Sequence, residues 1–175
     1  MAKKKLPAIE TLAADTQEFF DILNEKSDFA VILIAAGYLD AAVAGLLAKA
    51  FCDEDIATKL LESPAAALSG FGARIDLAYA IGLIRPTIRE DLLRVAKIRN
   101  RCAHSHLRLN FEDTAIKDLV ENLEYVKAVN GDAAGPFAAM ATTPRSKFVL
   151  TVTLISQRLL VDALGTKRFG TGTSG

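Results

Sequence analysis

Residues 29–48 read FAVILIAAGYLDAAVAGLLA. The run is apolar on every side of a helix, and such a helix is buried either in a protein core or in a membrane. Its length is about that of a membrane span, roughly 20 residues. Asp40 stands in the middle, and a central Asp costs on the order of 3 kcal/mol on insertion scales. Many of the other residues are small, among them Ala35, Ala36, Gly37, Ala41, Ala42, Ala44 and Gly45. No second comparable span is seen, and no aromatic belt flanks this one. The sequence therefore predicts a buried central helix with the rest of the chain packed around it.

The composition agrees with that reading. The 175 residues balance 21 Lys and Arg against 21 Asp and Glu, with 51% hydrophobic residues and no Trp. That length fits one domain of roughly 100–200 residues with a core of its own. High apolar content at zero net charge excludes disorder for most of the chain. Zero net charge also disfavours a generally basic nucleic-acid binder, because no global positive field steers it. Cys52 and Cys102 make no disulfide framework and no Cys-x-x-Cys metal pair. Both sit in apolar helical patterns and read as small buried hydrophobes of a reducing compartment. The N-terminus is basic (Lys3, Lys4, Lys5), but amphipathic sequence follows it instead of an apolar signal core. A cytoplasmic protein is expected, with no membrane partner.

Outward from the central run, apolar spacing predicts an all-α, compact single-domain bundle of about six or seven helices. A first helix covers 8–24, with Ile9, Leu12, Phe19, Phe20 and Leu23 on one face. Ser27 and Asp28 can cap the central helix, which runs from about 28 to 51. Short helices follow at 55–62 and 73–83, separated by the Ser63-Pro64 break and a Ser69-Gly70-Phe71-Gly72 loop. Pro86 opens a helix to about 104, and Asn110 or Asp113 starts another to about 129. Residues 131–144 read as a long loop. Residues 145–164 have strand-like propensity, but their spacing and length favour helix. Residues 1–7 are read as a flexible basic N-terminus, 8–165 as the domain and 166–175 as a disordered tail.

Chemistry concentrates at Ile98-Arg99-Asn100-Arg101-Cys102-Ala103-His104-Ser105-His106, which holds both histidines of the chain. Residues 85–108 carry seven Lys and Arg against Glu90 and Asp91, which leaves fourteen cations against nineteen carboxylates elsewhere. A neutral chain has gathered positive charge around its only imidazoles. Asn100 and His104 share a helix face, and Arg101 can lean toward His104. Arg99 is about 140° from His104 on a regular helix. The two converge only if the helix ends near 104 or a second subunit contributes. A His beside Arg suits proton transfer next to a phosphate. The structural alternative is that Arg99 and Asn100 bind neighbouring carboxylates and carbonyls while His104 caps the last turn. Asp40, buried in the apolar run, needs a cation, and Arg74 or Arg99 is the natural partner. Arg74, Asp40, Arg101 and His106 are thus candidate binding residues beside Arg99, Asn100 and His104. No phosphate-binding glycine fingerprint, acyl-transfer serine motif or completed metal site is present, so no cofactor and no metal are expected.

Two family resemblances follow from these residues. The Arg99-Asn100-x-x-x-His104 pattern resembles the signature of HEPN-type helical domains. The segment from Phe71-Gly72-Ala73-Arg74 to Gly82-Leu83-Ile84 resembles the mannitol-operon repressor family, as do Gly37-Tyr38-Leu39-Asp40 and Arg145 to Leu160. Together the resemblances cover about 28–164, and both imply a compact all-α fold. The repressor resemblance implies a transcriptional regulator. This chain shows no clear helix-turn-helix with a polar recognition helix, so the regulator would act through protein contacts, including a homodimer, without reading DNA sequence itself. The HEPN resemblance implies, as the alternative, a metal-independent endoribonuclease acting as a dimer on RNA. There His104 would move the 2′-hydroxyl proton, Arg99 would stabilise the developing phosphorane charge and Asn100 would orient them. No aromatic residue for base stacking is seen beside that motif in the sequence.

Overall fold

The computed structural model describes residues 7–62, 66–105, 109–130 and 137–170. Its α-helices are α1 (Ile9–Ala14), α2 (Thr16–Glu25), α3 (Asp28–Ala50), α4 (Glu54–Glu62), α5 (Phe71–Ala80), α6 (Pro86–His104), α7 (Thr114–Glu121), α8 (Tyr125–Asn130) and α9 (Pro144–Gly165), with a 3-10 turn at Ala138–Met140. No strand occurs among the described residues. The fold is all-α, as the spacing predicts.

Helix α3 is the axis of the bundle. Twelve of its 23 residues are buried, on all sides of the helix over residues 41–47, while Ile34 and Gly37 stay exposed on one side of its first half. α9 and α6 pack along it, and α1, α2, α4 and α5 cover the rest. Small residues let these neighbours approach closely. A Cβ on Gly45 would stand 3.0 Å from Ile9 Cδ1, so the missing side chain is what lets α1 lie against α3. The expectation of a single apolar span needs correcting, because α9 is also long and apolar enough to cross a membrane by length and composition. It packs instead against α3, burying Phe148, Val152, Ile155 and Leu159. Its start is fixed by a reciprocal capping box between Thr143 and Ser146 with Pro144 in the first turn, so helix prevails over the strand propensity of 148–152.

Differences from the sequence reading have local causes. The first predicted helix is two, broken at Asp15, where the Thr16 hydroxyl donates back to Leu12 and Ala13 carbonyls. Ser27 stands at the N-cap of α3, but its side chain makes no cap bond there. Asp28 is turned outward from the helix start, pairing with Arg145 and accepting from Phe111 N–H, and so ties α3 to α9 and to the entry of α7. Helix α5 begins at Phe71, inside the expected loop, and stops at Ala80. Gly82 at φ +77° allows a Schellman turn, with Leu83 N–H donating to Ala78 C=O at 2.8 Å and Gly82 N–H to Tyr79 C=O at 3.0 Å. Cys102 is buried, but Cys52 is exposed, because the chain leaves α3 at Phe51. Residues 166–170, expected in a loose tail, return to α3 and α4: Phe169 N–H donates to Ala50 C=O, and Arg168 pairs with Glu54. The expected loop at 131–136 and the tail beyond 170 lie outside the described residues.

The helix predicted over 113–129 is also two, and its break is made by a distant residue. Asp91 on α6 is fully buried. Its carboxylate accepts from Glu124 N–H at 2.9 Å and Tyr125 N–H at 2.7 Å, and pairs with Arg94 at 2.9 Å. A side chain 33 residues away in sequence thus caps the start of α8. Burial holds the Asp91 carboxyl above its ordinary pKa, outweighing the bonds from Tyr125, Glu124 and Arg94 that lower it. The folded chain therefore keeps a proton there at pH values where the unfolded chain has lost it. This group's contribution to stability falls as pH rises from the unfolded value near 3.8 through the raised one. Asp91→Ala leaves the part-buried Glu124 and Tyr125 N–H groups without their acceptor and is expected to cost about 2–4 kcal/mol in chemical denaturation. Asp91→Asn should flatten the acid side of the stability profile, and an unchanged profile would contradict this assignment.

Candidate functional site

α6 is an amphipathic helix used on both sides. Ile88, Leu92, Val95, Ile98 and Cys102 are buried in the core. Its charged side divides into two halves. In the first, Arg89 pairs with Asp76 at 2.7 Å and lies over the Tyr79 ring, while Arg94 pairs with Asp91 and Glu90. In the second, no ion pair among the described residues involves Lys97, Arg99 or Arg101, and all three are exposed. The positive charge gathered by residues 85–108 is therefore unneutralised mainly toward the C-terminal end of α6.

These cations border one open depression of about 790 Å³ between α6 and the start of α5. Leu93 and Ala96 line it from α6, together with Lys97, Asn100 and His104. The spacing of Leu93, Lys97, Asn100 and His104 puts them on one helical face. Arg101 joins from one flank, its guanidinium held by a 2.6 Å bond to Ala115 C=O. Arg99 lies far round the helix, yet it borders the same depression, folding toward Asn100 Oδ1 at 2.8 Å. α6 does end at His104, and within one chain Arg99 and His104 border the same depression. Across the depression stand Gly70, Phe71 and Gly72. Phe71 corrects the expectation that no aromatic lies beside the motif. It is 28 residues away from Arg99 in sequence, and the α5–α6 turn brings it there. His106 lies outside the described residues.

Asp40 and Arg74 have a different place. Of the two cations considered for Asp40, it is Arg74 that pairs with it, at 2.6 Å. Arg74 is only 5% exposed, and its other donors go to Leu61 C=O and Leu68 C=O, both at 2.7 Å. The guanidinium is committed inside the chain. Its bond to Leu68 holds the loop that leads into Gly70 and Phe71, so the pair positions the far wall of the depression. Sequence reading missed Phe71 and Lys97 as lining residues. The helical register of Lys97 with Asn100 and His104 was available to find the lysine; nothing local marks Phe71.

A family model described as mannitol repressor matches residues 15–162. The chain belongs to the mannitol repressor family. The matched span runs from the start of α2 almost to the end of α9 and contains the whole depression. Two solved structures share this mannitol-repressor fold. One is MtlR in the MtlR–HPr complex from Escherichia coli, with 23% identity and a TM-score of 0.65 over 83% of this chain and 98% of that one. The other is YggD, a possible transcriptional regulator from Shigella flexneri 2a, with 17% identity and a TM-score of 0.65 over 82% of this chain and 97% of that one. Comparison with curated proteins gives no match. Nothing in these matches supports the ribonuclease reading of Arg99, Asn100 and His104.

Removing Arg74 leaves Asp40 and two carbonyls without their donor. Arg74→Met is expected to cost about 3 kcal/mol, near the low end for breaking a buried pair because Asp40 retains some solvent contact. Asp40→Asn, whose amide oxygen still accepts from Arg74, should cost about 1 kcal/mol. Equal costs in urea unfolding would contradict this division of roles.

Proposed function

We propose that this family member is a cytoplasmic repressor-type regulator that works by contacting another protein through the α5–α6 depression. The observation that carries the reading is the set of exposed cations there, Lys97, Arg99 and Arg101, without carboxylate partners among the described residues. Most other basic groups on α6 are neutralised within the fold. Complementary charge on a partner would steer association and favour one docking register. HPr, the protein bound by the Escherichia coli relative, is the first partner to test. Direct DNA reading is less well served. A recognition helix projects its N-terminal residues into the major groove, whereas α6 is packed by α3, α5, α7 and α8, and its N-terminal Arg89 is engaged with Asp76.

The test is titration of purified chain with HPr by calorimetry at two salt concentrations. Arg99→Ala combined with Arg101→Ala is expected to weaken binding at least tenfold and to reduce its salt dependence. Undiminished binding by this variant would overturn the proposed surface. Cleavage of single-stranded RNA in EDTA, lost in His104→Ala, would replace the regulatory reading with the ribonuclease one.

The reading takes a homodimer as the working unit. Val161 and Leu164 are the most exposed large apolar side chains among the described residues, at 63% and 68%, and lie one turn apart on α9. Leu164→Glu should shift sedimentation from dimer toward monomer, and a monomeric wild type would contradict the dimer.

A further inference from the structure

We infer that the α5–α6 depression is also a binding site for an organic phosphate monoester. This goes beyond the protein-contact reading and does not require it. The first ground is charge. Lys97, Arg99, Arg101 and His104 border the depression, while among the described residues no Asp or Glu does. A single carboxylate satisfies one guanidinium fork. A phosphate monoester carries close to two negative charges and three acceptor oxygens, and so can engage several donors at once.

The second ground is the arrangement of the donors. Arg99 and Arg101 approach from opposite flanks of the stripe formed by Lys97, Asn100 and His104. Both are partly pre-set, Arg101 by its bond to Ala115 C=O and Arg99 by its bond to Asn100 Oδ1. Each guanidinium spends one N–H on that anchor and keeps others for a ligand. Asn100 borders the depression too, and its amide carries two N–H donors besides the Oδ1 that accepts from Arg99. Such a donor set favours a compact anion with acceptors in several directions over a planar carboxylate.

The third ground is size and apolar lining. About 790 Å³ is far more than a phosphate group fills. The remaining space is bordered by Leu93, Ala96 and Phe71, all half-buried, and Leu93 and Phe71 pack against the core. An apolar or aromatic body on the ester would rest there while the phosphate meets the cations. Mostly apolar lining with a few convergent polar groups is the usual make-up of a small-ligand site.

The probes are phenyl phosphate, inorganic phosphate and phenol, each titrated into the full chain and followed by amide chemical shifts. Phenyl phosphate is expected to bind saturably, at least fivefold more tightly than inorganic phosphate, with shifts concentrated at residues 70–72 and 93–104; phenol should not bind. Arg99→Ala with Lys97→Ala is expected to weaken phenyl phosphate at least tenfold. Arg158→Ala, which removes a cation from the ion pair with Asp162 on α9, should leave binding unchanged. Phe71→Leu, which keeps an apolar residue at the position, should remove most of the preference for phenyl phosphate over inorganic phosphate. No saturable shift, or equal weakening by Arg158→Ala, would overturn the site. Because the partner is absent from this titration, its failure says nothing about protein contact, and loss of protein contact says nothing about phosphate.

Discussion

A helix that is apolar on all sides has to be surrounded, and the bundle follows from that constraint on α3. Each neighbour supplies an apolar stripe: α9 through Phe148, Val152, Ile155 and Leu159, α6 through Ile88, Leu92, Val95 and Ile98, and α1 through Ile9 against Gly45. Asp40 is the exception in that surface, and its pairing with Arg74 makes the exception structural. The same guanidinium ties the 66–70 loop to the core through Leu68. One buried cation thereby links the centre of the fold to the wall of the depression where function is assigned.

A second buried charge acts at the other end of α6. Asp91 organises the start of α8 with two backbone bonds and is balanced by Arg94. α6 is therefore held at several levels: by its core face, by Asp91, and by Arg101 reaching Ala115 on α7. This rigidity matters for recognition, because cations presented from a fixed helix lose less freedom on binding than cations on a loop. Along α6, ion pairs engage Arg89 and Arg94 but not Lys97, Arg99 or Arg101, and this distinguishes the latter from arginines with structural duties.

Much of this was legible in the sequence because it rests on local pattern. The burial of 29–48 follows from its uniform apolarity, and the helicity of 145–164 from spacing that overrides β-propensity. The candidate face of α6 was marked by its charge and by the two histidines at and just beyond its end. What was not legible depends on residues brought together by folding. The break before α8 is written in Asp91, far away in sequence. Phe71 enters the depression only because Gly82 turns α5 back against α6. Cys52 looked buried because its neighbours are apolar, and is exposed because α3 ends one residue earlier than that pattern suggests. The choice between Arg74 and Arg99 as partner of Asp40 likewise needed the packing of α5 on α3.

The proposed contact surface for a partner protein is the C-terminal half of α6 with the first turn of α5. The most direct measurement is a hydrogen–deuterium exchange footprint of the chain with and without HPr. Protection confined to peptides covering 66–74 and 93–104 is the result this account predicts. Protection elsewhere, on α9 or on α1 and α4, with 93–104 unchanged, would contradict it.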